Sequence, residues 1–237
     1  MPKAEKTERK KSTRNAPTKA AKPKDPKASH LYTDDNPSTT IQGTGFKDKA
    51  AALRTLELIE RRSLIYQFQT INTMYNRAKH HPAMKKAVEG GAGTADMREA
   101  MAVFKDWLDV TYPAERDALR AGGFKPLLSK KCVERLLPRI DESKRVSKEG
   151  KKFAKVYCGL SKGKKLGNVL VDDSKPAEPD WERKRYEVLD ELVPKDKEED
   201  ADAWKLSELW TDDRKVADQH LQLIAWAWSP VAESKIP

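Results

Sequence analysis

From Ile41 onward apolar residues recur every three or four positions, the spacing of one buried helix face, and the single strand-like run, Val169 to Val171, is too short to start a sheet. The chain is therefore expected to be mainly α, either one helical domain or two joined helical subdomains at 41–112 and 113–230. A helix of about four turns begins near Asp48, with Ala50, Leu53, Leu56 and Ile59 facing inward. Ser63 can cap a second helix with Leu64, Phe68, Ile71, Met74, Tyr75 and Ala78 as its stripe, and Pro82 ends it. Thr94 reads as the N-cap of a third, with Met97, Met101, Phe104 and Leu108 on one side. Pro113 suits the first turn of a short helix closed by Gly122 and Gly123. Beyond it, KKCVERLL behind Ser129, KKFAKVYCGL and WERKRYEVLDELV all have helical spacing. The last helix is expected from near Asp212 to Trp228, where Ser229 and Pro230 stop it. On such a helix Trp226 and Trp228 point about 200° apart, so at most one meets a given core wall.

Residues 1–40 read differently. The first thirty contain no aromatic residue, and Pro recurs at positions 2, 17, 23 and 26, so they bury too little surface to offset chain entropy and are expected to form a disordered basic tail. In Lys, Ala, Pro, Ser and Thr content this segment resembles the tails of histones, linker histones and high-mobility-group proteins, a compositional resemblance limited to about thirty residues. Its ERKKSTR cluster, which includes Lys10, Lys11 and Arg14, has the form of a nuclear-import signal.

The formal charge of +10 is unevenly distributed. Residues 1–30 carry +7, residues 31–120 carry +1, and residues 121–168, with fourteen basic and four acidic groups, carry +10. Residues 169–218 reverse this with nine against seventeen, or -8. Such blocks suit either a polyanion-binding surface or a basic element packed on an acidic one. The +10 block contains a glycine turn, GLSKGKK, that is one residue short of a Walker loop and lacks its Ser/Thr. Its amides and ammonium groups suit backbone phosphates all the same.

Motifs for chemistry are sparse. Cys132 and Cys158 have neither CxxC spacing nor a multi-bridge pattern, so reduced thiols are expected, with no metal site and no other cofactor. His80 and His81 point about 100° apart on a helix and lack partners at ligand spacing. His220 has no Ser or Cys nearby in sequence, so a triad would need tertiary folding, and no catalytic residues are assigned. Gln69, Asn72, Asn76 and His80 align on one helix face, where amides can read bases or, as favoured, bond to a neighbouring element. The six Trp residues are interleaved with Leu and Ile, which assigns them to the core. No apolar run approaches the about 20 residues of a membrane helix, and no secretory signal opens the chain, so a soluble intracellular, nuclear protein without membrane contact is expected.

The preferred expectation is a non-enzymatic nucleic-acid-binding protein. Its phosphate contacts come from Lys10, Lys11 and Arg14 in the tail and from Lys130, Lys131, Arg135, Lys151, Lys152, Lys155, Lys162, Lys164 and Lys165 in the +10 block. The alternative is a helical protein-interaction or scaffold module whose charge blocks pair internally or with a protein partner.

Overall fold

Asp48 starts the first helix, α1 (Lys49–Ile59), by accepting the Ala51 amide on its carboxylate at 2.7 Å, which satisfies one of the donors a helix start leaves open. This computed structural model describes residues 41–86, 93–122, 124, 127–198 and 201–237, apart from the side chains of residues 85, 86, 93 and 201. The expected disordered tail lies outside the described residues. The inner face of α1 is not the expected one: Ala52, Thr55 and Ile59 are buried, while Ala50 is exposed and Leu53 is 44% exposed. Thr55 can turn inward because its hydroxyl accepts the Gly45 amide at 2.8 Å and donates to the Ala51 carbonyl at 2.8 Å.

The second helix, α2 (Leu64–Lys79), buries Gln67, Ile71, Met74 and Ala78, and Pro82, two residues past its His80 cap, opens the short α3 (Pro82–Lys86). Next, α4 (Gly93–Asp106) begins one residue before Thr94, which therefore lies inside the helix instead of capping it. Pro113 lies in the first turn of the next helix, as expected, and the chain reaches it without leaving helical conformation. Trp107–Thr111 widens into a π turn in which the Tyr112 amide reaches the Trp107 carbonyl, and α5 (Tyr112–Ala121) follows directly. The wider turn accommodates a ring that would clash with the carbonyl four residues back in a regular helix. Helices α1, α2 and α4 enclose a core of Ile41, Ala52, Ile59, Ile71, Met74, Ala100, Phe104 and Trp107.

The second cluster is built by α6 (Lys130–Glu142), α7 (Lys148–Gly159), α8 (Trp181–Leu192), α9 (Leu206–Leu209) and α10 (Asp218–Ala225). Val169–Val171 forms no strand; Leu170 makes one isolated antiparallel bridge with Asp180. The last helix starts six residues later than expected. Thr211 to Lys215 is a tight turn closed by the Thr211 amide on the Lys215 carbonyl at 2.8 Å, with Arg214 at φ 58, so Asp212 and Asp213 are turn residues and not a helix start. It also ends early, at Ala225, and Ala227 takes φ 53. That left-handed step sends both indoles inward along different paths. Trp226 packs on Phe153 and Trp181, Trp228 on Phe124 and Trp204, and both are buried. Arg185, also buried, donates to the Trp226 carbonyl at 2.8 Å and the Phe124 carbonyl at 2.9 Å, and this burial lowers its pKa to about 10.

The described residues belong to one compact unit, and a buried ion pair ties its two cores together. Arg62 and Asp180, 2% and 0% exposed, meet at 3.1 Å between Nε and Oδ2. The guanidinium also donates to the Pro176 carbonyl at 2.9 Å and the Gly167 carbonyl at 3.2 Å, and lies 3.6 Å over the Tyr66 ring. Asp180 accepts the Ser63 amide at 2.9 Å and, as the N-cap of α8, the Arg183 amide at 3.0 Å. Among the described residues no helix is long and apolar enough to cross a membrane.

Candidate nucleic-acid interface

Cys132, Val133, Leu136 and Ile140 on α6, and Phe153, Ala154 and Tyr157 on α7, fix the inner faces of an antiparallel helical hairpin. With those positions buried, the helical repeat directs Lys148, Lys151, Lys152 and Lys155 outward. Ser147 caps α7 by accepting the Gly150 amide at 3.0 Å, and its own amide donates to Gln222 of α10 at 2.9 Å, which ties the helix register to the core. Beyond α7, Gly163 at φ 90 lets the chain turn with the Lys164 amide on the Ser161 carbonyl at 3.1 Å. Lys162, Lys164 and Lys165 are left exposed on this turn.

The expected contact residues fall into three groups. Lys10, Lys11 and Arg14 lie outside the described residues. Lys151, Lys152, Lys155, Lys162, Lys164 and Lys165 follow one another along α7 and its exit turn, and Lys131 is exposed at the same end of the hairpin as that turn. Lys130 and Arg135 are occupied locally. Lys130 is half-buried, bonds to the Leu160 carbonyl and lies 6.0 Å over the Tyr157 ring, so it clamps the start of α6 to the end of α7. Arg135 donates to the Ile236 carbonyl at 2.9 Å, toward the C-terminal segment.

Within the outward group the existing contacts are shallow. Lys151 reaches the Asp141 carbonyl at 2.7 Å and Lys152 the Val171 carbonyl at 3.0 Å. Lys155 pairs with the Asp141 carboxylate at 2.9 Å while 59% exposed, a geometry worth about 0–1 kcal/mol. Three further cations, Lys144, Arg145 and Lys148, are exposed at the entry to α7 and extend the same ridge. The SKRVSK run carried that signal, but without the hairpin geometry nothing distinguished it from a solvated turn.

Seven of the seventeen carboxylates of residues 169–218 pair with cations outside the ridge, and one of the seven, Asp172, also feels the charge of Lys152. Glu178 pairs with Arg61 at 2.6 Å and Asp180 with Arg62. Asp172, Glu187, Asp190, Glu208 and Asp213 pair with Lys or Arg of their own segment. Lys184 to Glu149, at 3.5 Å, links the two blocks in the opposite sense, with the cation supplied by the acidic one. A cleft of about 700 Å³ between α2, α5 and α8 has six carboxylates, Glu60, Glu115, Glu182, Glu187, Asp190 and Glu198, against four cations, which makes it a poor seat for a polyanion.

The remaining candidates resolve as follows. Gln69, Asn72, Asn76 and His80 are exposed, and Asn76 donates to the Asn72 carbonyl of its own helix at 2.8 Å, so this stripe does not bond to a neighbouring element as favoured. His81 accepts the Ala83 amide at 3.2 Å. Cys132 is buried and Cys158 half-buried, both free, and burial pushes the Cys158 thiol up to about 11. His220 gains the Ser partner that its sequence neighbourhood lacked: Nε2 lies 2.9 Å from the Ser229 hydroxyl and Nδ1 3.1 Å from the Leu209 carbonyl. The carbonyl requires the proton on Nδ1, so Nε2 accepts from Ser229. The imidazole is fully buried, which lowers its pKa to about 4, and Ser229 also accepts the Val231 amide at 3.1 Å, so the contact secures the end of α10. Among the described residues no group of His, Cys, Asp or Glu is placed to hold a metal ion. Comparison of the chain with protein-family models, curated proteins and solved structures found no match in any of the three.

Proposed function

We propose that this protein binds nucleic acid, DNA or RNA, through the lysine ridge of α7 and its exit turn, assisted by the basic N-terminal tail. Lys and Arg contact phosphates and positioning is electrostatic. One observation carries the reading: Glu178, Asp180, Glu187, Asp190, Glu208 and Asp213 of the acidic segment pair with Arg61, Arg62 or cations of their own segment and not with the ridge, on which Asp172 acts at Lys152. A nuclear location, suggested by the ERKKSTR cluster, belongs to the same proposal.

Salt provides the test, because each neutralised phosphate contributes about -0.9 to the slope of log affinity against log salt on duplex DNA. Deleting residues 1–30 should make the slope shallower and leave measurable binding. Changing Lys151, Lys152, Lys155, Lys162, Lys164 and Lys165 to Gln should then weaken what remains, with the helical circular dichroism signal intact. Loss of folding stability in the glutamine variant, with no binding by the tail-less protein at physiological salt, would instead favour the interaction-module reading.

A further inference from the structure

The side chains along the ridge also bear on which form of nucleic acid it suits. Between residues 144 and 165 the chain contains no Asn or Gln, the amides best suited to adenine edges, and one Arg. The aromatic rings beneath the ridge face inward. Phe153 and Trp181 are 0% and 1% exposed, the Lys152 ammonium lies 5.4 Å over the Trp181 ring, and the Tyr157 hydroxyl donates to the Leu128 carbonyl at 2.6 Å. Among the described residues the exposed large apolar side chains are Leu53, Val110, Leu127 and Leu206, none of them aromatic. Proteins that hold single strands without sequence preference rely on exposed rings on which bases stack, and this ridge offers no such platform.

Charge density points the same way. The twelve residues of α7 span about 18 Å, with Lys144, Arg145 and Lys148 at one end and Lys162, Lys164 and Lys165 beyond the other. Over about 18 Å a duplex presents about ten phosphates, and one of its strands at the same rise about half as many. A ridge that reads phosphates alone gains most from the denser polyanion.

Resting on the proposed nucleic-acid function, we infer that the ridge recognises the phosphate backbone of double-stranded nucleic acid, without base stacking or direct base readout. The full-length chain would be titrated by fluorescence anisotropy against a labelled 30-nucleotide duplex and against each of its strands, as DNA and as RNA. The six-lysine glutamine variant would be measured beside it, with circular dichroism as the folding control. Duplex should bind at least about tenfold more tightly than its strands at low salt and show the steeper salt slope, and the glutamine variant should lose most of that preference. Duplexes of shuffled sequence should bind alike. Single strands bound as tightly as duplex, and weakened by the same substitutions, would overturn the duplex assignment while leaving nucleic-acid binding in place. Binding to neither form, or binding indifferent to the six lysines, would overturn both.

Discussion

Removing the carboxylate of Asp180 while keeping its shape, as in Asp180→Asn, strands the Arg62 guanidinium at a site where it is 2% exposed. The Pro176 and Gly167 carbonyls remain, but neither carries a compensating charge. Breaking a buried pair from one side typically costs about 3–5 kcal/mol, because the remaining ion is desolvated without its counter-charge. Asn still caps helices well, so the loss at the start of α8 should be small beside that penalty. Against a domain stability of about 5–15 kcal/mol this is a large fraction. Urea unfolding followed by circular dichroism would measure it. The double variant Arg62→Met with Asp180→Asn removes both charges and should recover part of the loss, giving a coupling energy of about 2 kcal/mol or more in the cycle. Because the pair joins the two cores, Asp180→Asn should also separate the transitions seen by probes in each. Single variants costing under about 1 kcal/mol, or a strictly additive cycle, would refute the view of this contact as the buried joint of the molecule.

Three further substitutions probe the same half of the chain. His220 is held near pKa 4, below its ordinary 6.5, so the unfolded chain binds a proton that the folded one excludes; stability should fall by up to about 3 kcal/mol as pH drops from 6.5 through 4, and an unchanged pH profile in His220→Gln would refute this. At Gly167 a Cβ would meet Ser63 Oγ at 2.6 Å, Ile65 Cγ2 at 2.7 Å and Glu182 Oε2 at 2.8 Å, so Gly167→Ala should cost about 1–3 kcal/mol in urea unfolding, whereas Gly159→Ala, with nothing within 4 Å, should not destabilise; equal midpoints for the two would contradict the close approach.

Apolar spacing located most of the helices because burial of one face is the force that selects them, and it succeeded where every inward position is apolar. In α7, Phe153, Ala154 and Tyr157 define the inner face and leave the lysines outside. It failed on α1, where Thr55 is buried on two hydrogen bonds and shifts the face away from Leu53. It failed again at Thr211 to Lys215, where side chains compatible with a helix start are taken by a turn that the Trp210–Val216 bridge closes. The partners Arg62 and Asp180 stand 118 positions apart, and no local pattern couples a basic pair after α1 to an acidic residue before α8. For the same reason the charge blocks could be counted from the sequence but their pairing could not.

That pairing makes stability and the proposed binding separable. The acidic segment spends Glu178 and Asp180 on Arg61 and Arg62, and the second of these contacts is buried where charge interactions are strong. The ridge lysines make exposed contacts to carbonyls and to one carboxylate at 59% and 41% exposure, where solvent screens them. Substitutions at the joint should therefore lower stability while leaving the salt slope of the remaining folded protein unchanged. Substitutions on the ridge should change the slope at nearly constant stability. A ridge variant that unfolded as readily as Asp180→Asn would mean that the lysines are neutralised within the fold after all, and the charge asymmetry of the chain would then reflect internal packing instead of a surface open to a polyanion.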